Sequence, residues 1–173
     1  MGYTNTGSGW ISVKDGTSFS FSPIDGTTVS TYQKDNSELL SAGYIDSTGN
    51  LVAAHDAATV HLGAPWRMPT SDEIQALSDN CTTTWITTNG VSGRLVTGKG
   101  NYANRSIFLP AGGYGYGSYL SRPGSFGYYC SSTPNSDDSR RAWYLIFFSS
   151  YFTRSNKDRY IGQSVRPVRG FAE

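Results

Sequence analysis

Two histidines, two cysteines and a serine set among glycines are the side chains here whose types could do covalent or metal chemistry, and their spacing argues against it. His55 and His61 stand six positions apart, which fits neither the i, i+4 spacing of a helical zinc site nor a pair backed by cysteine ligands, and packing or surface roles suit both. Cys81, in CTTTW, and Cys130, in YYCSS, form no CxxC pair. We read them as two buried thiols; a disulfide is the alternative and requires their Cα atoms within bonding distance. Ser125, in PGSFG, lacks the strand-to-helix setting of a nucleophile elbow and has only two histidines to draw a base from. The string GRLVTGK at 93–99 follows the start of a phosphate loop, but Gly100 stands where a hydroxyl would hold magnesium and NYAN opens no helix. It reads as a glycine-bounded hairpin or strand connection. TPNSDD at 133–138 offers the oxygens of Asn135, Asp137 and Asp138 to a hard cation, a composition shared with ordinary solvated loops. No catalytic residue, metal or cofactor is expected.

The chemistry that remains is recognition. Residues 128–160, YYCSSTPNSDDSRRAWYLIFFSSYFTRSNKDRY, hold seven Ser and five Tyr. Evolved binding sites favour such a mixture, because Tyr offers a large contact area with few rotors while Ser and Asn adapt their hydrogen bonds. Surface loops of any turn-rich domain share part of it. The strand AWYLIFF sharpens the reading: Trp143, Leu145 and Phe147 fall on one face, Tyr144, Ile146 and Phe148 on the other. Either the second face is an interaction patch or the strand is covered on both sides.

The elements that must position these residues are short. WISV at 10–13 and TSFSFS at 17–22, where Phe19 and Phe21 alternate with Ser, read as strands, with turns at Asp15-Gly16 and Asp25-Gly26. Ser37 is placed to cap a helical turn through Leu40, and DSTGN at 46–50 is a loop. Residues 53–61 set Ala54, Ala57, Ala58 and Val60 along one side of a short helix that Gly63 ends. TSDEIQAL carries a capping box between Thr70 and Glu73, with Ile74 and Leu77 as its buried stripe. Strands are then expected at 85–87, 94–97, 106–109, 127–132, 141–147, 151–154 and 164–168, and 111–127 is expected to be irregular because of its glycines. No internal repeat is present.

At 173 residues the chain suits one domain that buries a core without cross-links. Its 20 Gly and 12 Tyr point to a turn-rich fold in which strands and irregular loops outweigh helix, and 16% charged residues with many Tyr suit an extracellular or virion setting. The net charge of +1 hides an asymmetry: residues 1–100 carry 5 basic and 9 acidic groups, 101–173 carry 9 and 4. The basic groups are scattered among Asp137, Asp138 and Asp158, so a nucleic-acid partner is not expected. No apolar run reaches the ~20 residues of a membrane helix. MGYTNTGSGW shows no signal-peptide pattern, which fits either a protein made without a secretory signal or one whose longer N-terminus was removed.

WRMPTSDEIQAL, the Cys81 region, IFLPAGGYGYG, GYYCSS, AWYLIF and GQSVRPVR occur in this order, and through them the chain resembles the Fibrobacter major paralogous domain family over about residues 39–170. Such proteins are related in fold to C-type lectin-like domains, formylglycine-generating enzymes and the variable proteins of diversity-generating retroelements. The resemblance implies an α+β, C-type lectin-like fold in which two helices pack on small twisted antiparallel sheets with long irregular loops. It implies one domain with N-terminal strands at 1–38, helices and scaffold at 39–127, and a variable ligand-binding region at 128–170. SVRPV would be a central strand with Val165 and Val168 buried and Pro167 where its missing N–H is not needed.

Carried over by position, Trp143, Leu145, Phe147, Arg159, Gly162 and Ser164 to Val168 match the fixed frame. The ligand-binding positions would be Asn135, Asp137, Ser139, Tyr144, Ile146, Phe148, Ser150, Tyr151, Arg154, Asn156, Asp158 and Tyr160, with Tyr144, Tyr151 and Arg154 as anchors. Cys130 departs from the family, which has an aromatic residue there. The enzyme branch uses cysteines close together near the C-terminus, and calcium-dependent lectins carry a Trp-Asn-Asp string; neither occurs here. The implied function is a non-enzymatic recognition module on a phage tail or bacterial surface, binding protein or glycan. The alternative is a structural or adhesive surface module that uses the same face for subunit or cell-wall contact. The sequence sets no oligomeric state.

Overall fold

The computed structural model describes residues 2–5, 10–13, 34–116, 119–138 and 140–169, the first two stretches as backbone only. Expected features at Asp15-Gly16, 17–22 and Asp25-Gly26, and residue Ser139, lie outside the described residues. The architecture is mixed α+β: three short helices and several small antiparallel sheets among the described residues. No described helix is long and apolar enough to cross a membrane.

Strands β1 (Gly2–Asn5) and β2 (Trp10–Val13) pair with each other. Helix α1 (Asn36–Ser41) is capped by Asp35 rather than Ser37: the Asp35 carboxylate accepts the Glu38 N–H at 2.8 Å, and Glu38 accepts the Asp35 N–H at 2.8 Å. Helix α2 (Ala57–Leu62) starts four residues later than the alanine pattern predicts. Asp56 fixes that start, because its Oδ1 accepts the N–H of both Ala58 and Thr59 at 2.9 Å and thereby meets two of the donors a helix start leaves open. Ala58 is buried and Val60 exposed, and Gly63, at φ +74°, ends the helix as expected.

After β3 (Trp66–Arg67), helix α3 (Ser71–Asn80) opens with the expected reciprocal box between Thr70 and Glu73. Arg67 adds a forked ion pair to Glu73 at 2.6 and 2.7 Å, which holds that carboxyl below its ordinary range. Ile74 is buried and Leu77 packs against the core.

Strands β4 (Cys81–Thr88), β5 (Val91–Gly98) and β6 (Ser106–Pro110) form one sheet in that order. Asn89 and Gly90, at φ 50° and 76°, make the two-residue turn between β4 and β5. The phosphate-loop lookalike is simply β5 running in its ladder. The stretch 111–127 is more regular than expected: β7 (Tyr114–Tyr116) and β8 (Tyr119–Ser121) pair as a hairpin.

The second three-stranded sheet is β11 (Tyr151–Asp158), β10 (Arg141–Phe148) and β9 (Gly127–Pro134), with β10 central. Leu145, Phe147 and Tyr129 pack from its inner face against Ile74, Val96, Leu109 and Ala111, and Phe147 is fully buried. The Phe147 ring occupies the place a Cβ would take on Gly127, its cross-strand partner, so only glycine fits there. The expected C-terminal strand is shorter: β12 (Val168–Arg169) pairs with β3, and Val165 and Val168 are half-buried rather than buried. Ser164 alone does central-strand work, donating its N–H to the Tyr128 carbonyl and accepting that of Cys130.

Candidate ligand-binding surface

Directly opposed residues of an antiparallel pair point to the same side, so the register of β9–β10–β11 assigns every side chain to a face. The two-residue turn Ser149-Ser150 pairs Phe148 with Tyr151, Ile146 with Thr153, Tyr144 with Ser155 and Ala142 with Lys157. These residues, with Tyr128 and Cys130 of β9, make the outer face. Trp143, Leu145 and Phe147 lie opposite Asn156, Arg154 and Phe152, on the inner face.

Several expectations are corrected by this geometry. Tyr144 does lie on the outer side, yet it is only 5% exposed, its ring stacked on Tyr128 at 5.7 Å. Arg154 belongs to the inner side: its guanidinium lies 4.5 Å over the Trp143 ring and donates to Ser71 Oγ of α3 at 2.8 Å and to Asp72 Oδ1 at 3.4 Å. Asn156 and Asp158 share that side, where Arg141 donates to Asn156 Oδ1 at 3.4 Å and pairs with Asp158 at 3.7 Å. Asn135 is buried, and its Oδ1 accepts the N–H of Asp137 at 2.7 Å and of Asp138 at 3.0 Å. Its side chain shapes a turn instead of projecting from the surface. The expected binding set is therefore split between two faces and a buried turn.

What stays together on the outer face is Ile146 and Phe148, both half-buried, with Ser150 and Tyr151 exposed at the turn. Tyr151 is 46% exposed and stacks on Phe148 at 5.1 Å. Asp137 is exposed but sits at the other end of β10, and Tyr160 is half-buried with its ring 6.1 Å from Tyr116.

The outer face also holds residues that sequence reasoning passed over. Phe126 packs against Phe148 at 4.9 Å and stacks on Tyr128 at 6.1 Å, and Tyr114 of β7 meets Tyr128 edge-on at 4.9 Å. Two cations lie on these rings: Arg122 over Phe126 at 4.6 Å, and the Lys157 ammonium 4.8 Å from Tyr114 and 5.7 Å from Tyr128. Alternation on β10 could not point to Lys157; the parity of the Ser149-Ser150 turn could have. Burial pushes the Tyr128 and Tyr144 hydroxyls upward, so both stay neutral at physiological pH.

Behind the turn stands Arg94 of β5, a buried cation paired with no carboxylate among the described residues. It donates to the Phe148 carbonyl at 3.2 and 2.9 Å and to the Ser149 carbonyl at 3.1 Å. The place from which Tyr151 projects is held by a charged fork.

The groups examined for chemistry have other roles. Cys81 and Cys130 are free and half-buried rather than bonded. The Cys130 thiol, turned onto the Ser164 carbonyl at 3.4 Å, is pushed up to about 12 by burial, the opposite of an activated nucleophile. His55 packs on Tyr44 at 4.4 Å, and His61 is exposed. In TPNSDD, Asp138 is spent on Arg140 at 2.9 Å. Among the described residues, no three His, Cys, Asp or Glu side chains group as a metal site. A cavity of about 380 Å³ lies beside Asp46, Asn50, Asp56 and Arg67, but both of its acids are engaged: Asp46 holds its own loop, and Asp56 caps α2 and accepts the Met68 N–H. No family model, curated protein or solved structure matches the chain.

Proposed function

We propose that the chain is a C-type lectin-like domain acting as a non-enzymatic recognition module, of the kind that retroelements diversify, displayed on a phage tail or a bacterial surface. Its macromolecular ligand is met by the outer face of β9–β10–β11 near the Ser149-Ser150 turn. The observation that carries this reading is the contrast within one strand. Leu145 and Phe147 are locked in the core, while Ile146 and Phe148 remain part-exposed beside an exposed Tyr151. A rigid sheet behind aromatic anchors matches how binding surfaces concentrate energy in a few side chains.

The encoding DNA tests the diversified character. A nearby template repeat should differ from this segment chiefly at adenines, with the differences at Ile146, Ser150 and Tyr151 and none at Leu145 or Phe147. Differences concentrated on the two core positions would contradict the reading. A library randomised at the same three positions tests the binding surface: most members should fold, and binders to unrelated targets should emerge from it. A library that is mostly unfolded would overturn the proposal.

A further inference from the structure

Resting on that reading, we infer that the partner is a protein whose docking surface presents apolar side chains ringed by carboxylates. The outer face carries Arg122 and Lys157, both seated on aromatic rings, and neither has an acidic partner among the described residues. Of the acids of this region, Asp138 pairs with Arg140 and Asp158 with Arg141 on the opposite side of the sheet, while exposed Asp137, in the turn after β9, forms no ion pair with either cation among the described residues. An aromatic patch with two uncompensated cations is electrostatically incomplete, and a carboxylate-bearing partner completes it while repelling basic competitors.

The packing of the rings decides the class of partner. Tyr128 and Tyr144 are each only about one-twentieth exposed, so the centre of the face is closed and the surface it leaves open is the apolar side chains of Ile146 and Phe148 beside Tyr151. A saccharide laid there would lose water from its hydroxyls without replacement, whereas apolar protein side chains would lose nothing. Two cations also fall short of what a phosphate backbone requires.

Selection from a random-peptide library on the immobilised full chain tests the inference. The recovered pool should be enriched in Asp and Glu flanking Phe or Leu. It should weaken as salt rises, and bind the Arg122→Gln/Lys157→Gln variant about tenfold less tightly, with Lys157→Arg restoring part of the loss. An uncharged pool, or an acidic pool indifferent to the double variant, overturns the inference. Displacement of the pool by polygalacturonate or oligo(dT) more effectively than by free selected peptide also overturns it. Tyr151→Glu separates the two levels. A pool that loses this variant but ignores the two cations leaves the face a binding surface with the wrong partner chemistry. A pool that binds it as well as wild type removes the face itself, and an empty selection counts against both.

Discussion

Tyr144 and Tyr151, both expected as anchors of one surface, answer to different forces. Tyr144 sits between Tyr128 and the strand that carries Ser155, and its truncation to Ala should cost about 3 kcal/mol in chemical denaturation, the scale of a large side chain lost from a packed site. Tyr151→Ser, at an exposed position, should stay within about 1 kcal/mol. Gly127→Ala should cost about 2 kcal/mol or more, since its methyl group would meet the Phe147 ring in a full core. Cys130 gives a pH test. Its thiol titrates higher in the fold, at about 12, than its ordinary value near 9, so the unfolded chain loses the proton first. The contribution is complete well below that ordinary value of about 9 and fades as pH climbs from there toward the folded value. Stability of the wild type should fall more steeply over that window than that of Cys130→Ala.

At the scale of elements, Arg94 ties two sheets together. Its fork holds the carbonyls of Phe148 and Ser149, so Arg94→Met should lower stability by about 2 kcal/mol and lower Tm by about 6 °C, with faster amide exchange at Ser149 to Tyr151. Glu73→Gln should weaken α3, and because Arg67 holds the Glu73 carboxyl below its usual range, the wild type should lose that support as pH falls below about 4.5. Which elements could be read from sequence follows from range. The box of Thr70 and Glu73 lies within one turn and was legible, as were the centre of β5 and nearly all of β10, while β4 runs well beyond the three residues its pattern marks. The faces of β11 were not legible, because the two-residue turn exchanges odd for even: Phe148 pairs with Tyr151, which sends Arg154 to the inner side and Lys157 to the outer. Alternation likewise tells which way Tyr144 points, but not that Tyr128 and the hairpin carrying Tyr114 add a second layer there. Those glycine-rich residues gave no period to read.

At the scale of the molecule, one sheet carries two surfaces of different use. Its inner face closes the core with α3 and the β4–β5–β6 sheet; its outer face is a ring cluster buried at Tyr128 and Tyr144 and open at Ile146, Phe148 and Tyr151. The proposed function rests on that gradient, because only the open end can vary or bind without unfolding the rest. Affinity of an Ile146→Thr/Tyr151→Ser variant for peptide selected on the wild-type chain, with melting followed in the same samples, tests it most directly. The account predicts at least about a tenfold loss of affinity while Tm stays within about 5 °C. Unchanged affinity, or a fall in Tm as large as that of Tyr144→Ala, would contradict it.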